Sequence, residues 1–116
     1  MKRIMLIGNV GRDPEIRADQ SGNYFAAFSL GISVGNKQQP KTDWVDIVVN
    51  GKLVDTVRMY VKKGSKLFVE GFPTVQAYTA NDGKSAAVLK VYVNNLELLN
   101  FVESEESVVE EGANNG

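Results

Sequence analysis

The stretch "DWVDIVVNGKLVDTVRMYVKKGSKLFVEG", residues 43–71, changes its hydrophobic period twice. From Asp43 to Asn50 the apolar residues alternate. Val45, Ile47 and Val49 fall on one face, and Trp44, Asp46, Val48 and Asn50 on the other. That period of two marks a strand with one buried face. Beyond Lys52 the period becomes helical, with Leu53, Val54, Val57, Tyr60 and Val61 on one stripe. Lys62 and Lys63 suit the negative end of a helix dipole, and Gly64 suits its stop. This pattern predicts a helix of about three turns. Period two then returns from Ser65 to Phe72.

Working outward, "RIMLIGNV" (3–10) reads as a strand. "GRDPEIRADQSGN" (11–23) reads as turn chemistry, with Pro14 forcing Asp13 to be extended. In "NYFAAFSLGISVGN" (23–36), Phe28, Leu30, Ile32 and Val34 share a face, which predicts a long strand in which Gly31 permits a bend or bulge. "KQQPKT" (37–42) is a polar loop, "NDGK" (81–84) a hairpin turn, and residues 85–99 a last long strand. Three strands, one helix and two strands predict an all-β fold: a five-stranded Greek-key OB-fold barrel with the helix between strands three and four. A β-sandwich would want more strands and no such helix, and a parallel α/β sheet would want repeated crossover helices. The chain of 116 residues is read as one domain over 1–102. Residues 103–116, rich in Glu, Ser, Gly and Asn without any period, are read as a disordered acidic tail.

Cysteine and histidine are both absent. That removes disulfides, thiolate–zinc sites, cysteine nucleophiles and histidine bases, so an enzyme is not expected, nor a metal or cofactor. The N-terminal apolar run is too short for a signal peptide, and no stretch approaches the roughly 20 apolar residues of a membrane span. The expected location is the cytoplasm. The formal net charge of −1 conceals an asymmetry. All 13 Lys and Arg lie in 1–102 with nine of the 14 acidic residues, a net of +4, and the other five acids give the tail −5. A basic body with an acidic tail fits a nucleic-acid binder.

"GNVGRDPE" lacks the spacing of a phosphate loop and no helix follows it, so a strand-end turn is the better reading. Asp43 and Asp46 have no partner base and read as surface residues. Binding chemistry fits better. An unpaired base presents a flat face whatever its identity, so a flat side chain binds it without reading sequence. Trp44 opposes the apolar face of its strand, and Tyr78 sits in the polar run "QAYTANDG", so both are candidate platforms. Of adjacent Tyr24 and Phe25, one is expected exposed and one buried. Phe28 and, on its helical stripe, Tyr60 read as core, while Phe68 and Tyr92 fit either place. Phosphate contacts are drawn from Lys2, Arg3, Arg12, Arg17, Lys52, Lys62, Lys63, Lys66 and Lys84.

"LIGNVGRDPEIR", the 43–71 stretch and "NDGK", in this order, resemble the bacterial single-stranded DNA-binding protein (SSB) family over about residues 2–100. The resemblance implies an OB-fold, usually assembled as a homotetramer. It implies sequence-tolerant binding and protection of single-stranded DNA in replication, recombination and repair, near the nucleoid, and no catalysis. Trp44 and Tyr78 match base-stacking positions, Tyr60 a tyrosine that contacts DNA, and Lys52, Lys62 and Lys63 basic positions; Arg3 and Arg17 complete the expected set. Two further stacking positions fall on Asn50 and, with looser alignment, Asn36. The approach to Tyr78, "PTVQAY", lacks the positive charge usual there, and Asp46 shares the face of Trp44. Weaker or differently routed DNA binding is therefore expected. Val45 occupies a position where the family often places a polar residue at a subunit boundary. The ending "EEGANNG" has no apolar tip, so recruitment of replication and repair proteins by that mode is not expected. The competing reading is an OB-fold protein-interaction module of a replication or primosome complex with weak DNA binding.

Overall fold

The structure, a computed structural model, describes residues 1–100; the acidic stretch 103–116 and residues 101 and 102 lie outside the described residues. The elements are β1 (Ile4–Val10), β2 (Glu15–Ala18), β3 (Tyr24–Gly35), β4 (Pro40–Asn50), α1 (Leu53–Tyr60), β5 (Lys66–Thr79) and β6 (Ser85–Leu98). The strand order is β1-β5-β6-β4-β3-β2, and β1 also pairs with β3 through Asn9–Gly31 and Val10–Leu30. Hydrogen bonding therefore closes on itself through β1, β5, β6, β4 and β3, while β2 lies on the outer edge of β3. The five-stranded OB barrel expected from the sequence is this closed ring.

The period-two residues point where they were expected to. Leu30, Ile47, Val49, Leu67, Val69 and Val91 are fully buried inside the barrel. Burying each stabilises the fold by roughly 1.5–3 kcal/mol. Phe28 is core as expected, and Val57 and Val61 close against the same cluster.

Several local expectations need correction. Residues 15–18 are not loop. Glu15–Ala18 pairs with Tyr24–Ala27 of β3, and Ile16 packs against the core from outside the ring. The β2–β3 turn is held by Asp19, whose Oδ1 accepts from the amides of Ser21 and Asn23 at 2.9 and 3.0 Å. With β2 counted, the helix lies between the fourth and fifth strands. The β3–β4 ladder also runs further than expected, to Gly35–Pro40. The Asn36 side chain accepts from the amides of Gln38 and Gln39 and shortens the turn.

The helix is shorter than three turns. Val61 is extended although its amide still reaches the Val57 carbonyl, so Lys62 and Lys63 follow the helix and do not close it. Gly31 carries no bulge; the register shift lies at Glu70/Gly71. The β5–β6 hairpin turns at Asn81–Gly83, as "NDGK" predicts. Ala80 bonds both Gly83 and Lys84, and Gly83 takes a φ of 83° that favours glycine.

Candidate nucleic-acid interface

On the outer face of the barrel the register sets side chains in rows. Across β3 and β4, Gly31 faces Trp44, Ser29 faces Asp46, Ala27 faces Val48, and Phe25 faces Asn50. Glu15 and Arg17 of β2 extend the last two rows, opposite Ala27 and Phe25. On the other side of β4, Lys90 pairs with Asp46 and Tyr92 with Val48 in the parallel β4–β6 ladder. The small residues of β3 lower the middle of this surface, and Trp44 stands at one end of it.

Trp44 is 56% exposed, which excludes a buried core role. Its indole is nonetheless held. A Cβ at Gly11 would lie 2.6 Å from Trp44 Cζ3, and one at Gly31 would lie 2.9 Å from the same atom. Both distances are too short for a Cβ unless the indole moves, so two glycines form the seat on which the ring rests in this position. One side of the indole is thus supported by backbone while more than half of the residue stays open to solvent. A flat, pre-positioned apolar surface of this kind loses little side-chain entropy when a base covers it.

Cations gather beside this platform through backbone bonds. The Gly11 turn leads into Arg12 and Asp13, and Asp13 Oδ1 accepts from the Lys63 amide at 2.8 Å. The Gly64 amide donates to the Val10 carbonyl at 2.8 Å, and the Val10 amide donates to the Ser65 carbonyl at 2.9 Å. Ser65 is fully buried, and its Oγ accepts from the Lys62 amide. The Lys62–Lys63 turn is therefore fastened to the loop that carries Gly11 and Arg12, which brings three cationic residues to the Trp44 end of the face. None of the three forms an ion pair among the described residues.

The other expected residues are spread more widely. Arg17 on β2 lines the same face and is held by Glu15. Lys52 precedes α1 and is exposed, and Tyr60 ends it. The core reading of Tyr60 is overturned: it is 49% exposed, because Val54 and Val57 turn the helix's apolar stripe inward one turn earlier. Tyr78 lies opposite Ala86 on the β5–β6 arm, beyond the rows where β6 pairs with β4, and is 53% exposed. Alternation along β6 sets Ala86 on the same side as Val88 and Lys90, so the arm continues the surface that begins at Trp44.

Arg3 lies at the end of β1 opposite the Gly11 turn, 3.9 Å from Glu70, and is not brought to the Trp44 platform. Val45 is buried in its own barrel and takes no part in an exposed boundary. Of the adjacent aromatics, Tyr24 is exposed, with the Arg58 guanidinium 5.8 Å from its ring, and Phe25 is half-buried. Phe68 is half-buried, whereas Tyr92 is exposed. Lys90 escaped the sequence reading. Its outward phase on the last strand was legible, but its place beside Asp46 depends on a parallel pairing between distant segments.

A closed OB barrel with a seated, exposed tryptophan and a fastened basic turn defines a single-strand-binding type of surface. The family model described as the single-strand binding protein family matches residues 1–99, and the chain belongs to that family. Its members are DNA-binding proteins and not enzymes. A single-stranded DNA-binding protein of Bacteroides thetaiotaomicron is 33% identical over 85% of this chain and 66% of its own length. One from Rickettsia felis is 33% identical over 82% of this chain and 67% of its own length. The chain thus spans about two thirds of the curated relatives it matches. A solved structure of the Plasmodium falciparum SSB complex with ssDNA superposes with a TM-score of 0.69 at 29% identity, covering 89% of this chain and 96% of that one. Among the described residues no helix is long and apolar enough to cross a membrane.

Proposed function

We propose that this chain binds and protects single-stranded DNA without strong sequence preference, in replication, recombination and repair. The observation that carries this reading is the exposed Trp44 indole, seated on Gly11 and Gly31 beside a basic turn. Bases stack on Trp44, Tyr78 and Tyr60, while Lys52, Lys62, Lys63, Arg12 and Arg17 neutralise phosphates along the path. Membership of the family and the likeness to a protein solved with ssDNA support this reading over the protein-interaction module. Asn50, level with Phe25 on the outer face, supplies no platform, so binding per site is weaker than in a chain with an aromatic there.

The working form is a homo-oligomer, with a tetramer expected, in the cytoplasm at the nucleoid. Supporting this, β1 pairs with β3 only at Asn9 and Val10, and Gly8 packs against Gly31, which leaves Ile4–Ile7 as an open edge. Met5 and Ile7 on that strand are 64% and 52% exposed. An open edge with exposed apolar residues is a ready surface for a second chain. Fluorescence anisotropy of a labelled oligo-dT at low salt tests the function: saturable binding is expected, and no change at micromolar protein contradicts it.

A further inference from the structure

A hollow of about 420 Å³ opens on the outer face next to the Trp44 end, lined by Arg12, Arg17, Phe25, Ser29, Asp46 and Lys90 among others. It is roomy enough to admit a nucleobase. Ser29 and Lys90 flank Asp46 on the neighbouring strands, and Trp44 lies two residues along the same side of β4. Arg12, Arg17 and Lys90 line the hollow with three acids, Asp13, Glu15 and Asp46. Asp13 accepts from the Lys63 amide and Glu15 holds Arg17, yet among the described residues the Asp46 carboxylate has no ion pair. Nor does any side-chain hydrogen bond of the described residues engage Asp46. A half-buried carboxylate acceptor without a side-chain partner among the described residues therefore faces a hollow that can admit a base, close to a stacking platform.

An ionised carboxylate accepts hydrogen bonds and cannot donate them. Phosphate is repelled from it, so the group that approaches Asp46 itself is a base edge and not the backbone. Cytosine offers the N4 amino group, adenine the N6 amino group, and guanine the N2 amino group beside N1–H. Thymine offers a single N–H flanked by two carbonyl oxygens, which a carboxylate repels. In a single strand these edges are unpaired and accessible. Arg12, which lines the hollow and forms no ion pair among the described residues, can meet a phosphate next to such a base.

We infer that this hollow is a base-reading subsite, in which Asp46 accepts from the amino group of cytosine, adenine or guanine and disfavours thymine. The inference rests on the single-stranded DNA reading above and adds to it a bias at one position of the path.

The test compares oligo-dC with oligo-dT of equal length, by anisotropy, on the wild-type chain, Asp46→Asn and Asp43→Asn. Asp43 pairs with Ile32 on the opposite side of the same strand and removes the same charge without touching the hollow. Asp46→Asn should lower the dC-over-dT affinity ratio by about tenfold, mainly by admitting thymine, while Asp43→Asn leaves the ratio unchanged. A thermal melt close to wild type shows that the isosteric variant keeps its fold. If Asp46→Asn strengthens both oligonucleotides by one factor, or leaves both unchanged, Asp46 reads no base and the inference is overturned. If the wild-type chain binds neither at low salt, the DNA reading itself fails and takes the subsite with it.

Discussion

Trp44 lies directly opposite Gly31 in the β3–β4 ladder, and its ring occupies the space that a side chain at Gly31 or Gly11 would fill. Because the atoms in the way belong to the outer end of an exposed side chain, a methyl group at Gly11 displaces the indole more readily than it breaks the barrel. Gly11→Ala should shift the Trp44 emission maximum and weaken oligo-dT binding several-fold, with a change in melting temperature of only a few degrees. Emission spectra and a melt on the same sample check both halves. Unaltered emission and affinity would mean that the seat does not position the ring.

Removing the platform itself has a larger effect. Trp44→Ala should cost roughly 1–3 kcal/mol of binding per stacked base. Trp44→Phe keeps a flat face and should retain part of it. Anisotropy on the pair, at one salt concentration, distinguishes lost stacking from a general loss of packing.

The fastened basic turn makes a separate, electrostatic prediction. Neutralising phosphates releases counterions, so log affinity falls linearly with log salt at about 0.7 per phosphate for single strands. If Lys62 and Lys63 each engage a phosphate, the double alanine variant lowers that slope by about 1.4. A variant slope equal to wild type assigns the phosphate contacts to other residues, with Arg12 and Lys52 next in line.

Asn50 offers a gain-of-function test. It is exposed at the end of β4, on the side that carries Trp44, with Phe25 across the ladder. Asn50→Phe restores a flat group on that side and should raise oligo-dT affinity by about 1 kcal/mol or more, with little effect on stability. Affinity equal to or below wild type would show that the strand takes another route across the barrel.

The open β1 edge predicts self-association. Met5→Lys with Ile7→Lys places charge on an exposed apolar strand and leaves the core untouched, so light scattering should show a smaller species with the barrel still folded. A wild-type chain that is already monomeric contradicts the oligomer.

Legibility in the sequence followed the range of the interactions. The alternation of Val45, Ile47 and Val49 against Trp44 is local and places the tryptophan outside correctly. Glu15–Ala18 was missed because four residues with one central apolar side chain carry too short a period to stand out from turn chemistry. Tyr60 misled because it shares the helical stripe in sequence, whereas Val54, Val57 and Val61 take the buried side and leave Tyr60 at the exposed end of the helix. The grouping of Arg12 with Lys62 and Lys63 depends on hydrogen bonds between segments about fifty residues apart. The pairing of Asp46 with Lys90 depends on a parallel contact that no periodicity encodes. Outward phase was readable, whereas neighbours across the barrel were not.

The central claim is that Trp44 is a base-stacking platform on a single-stranded DNA path, and its own fluorescence reports on it directly, since it is the only tryptophan in the chain. Titration with oligo-dT at low salt should quench the emission to saturation, and added salt should restore it. Unchanged emission through a titration in which anisotropy shows the oligonucleotide binding would place the DNA elsewhere and contradict the account.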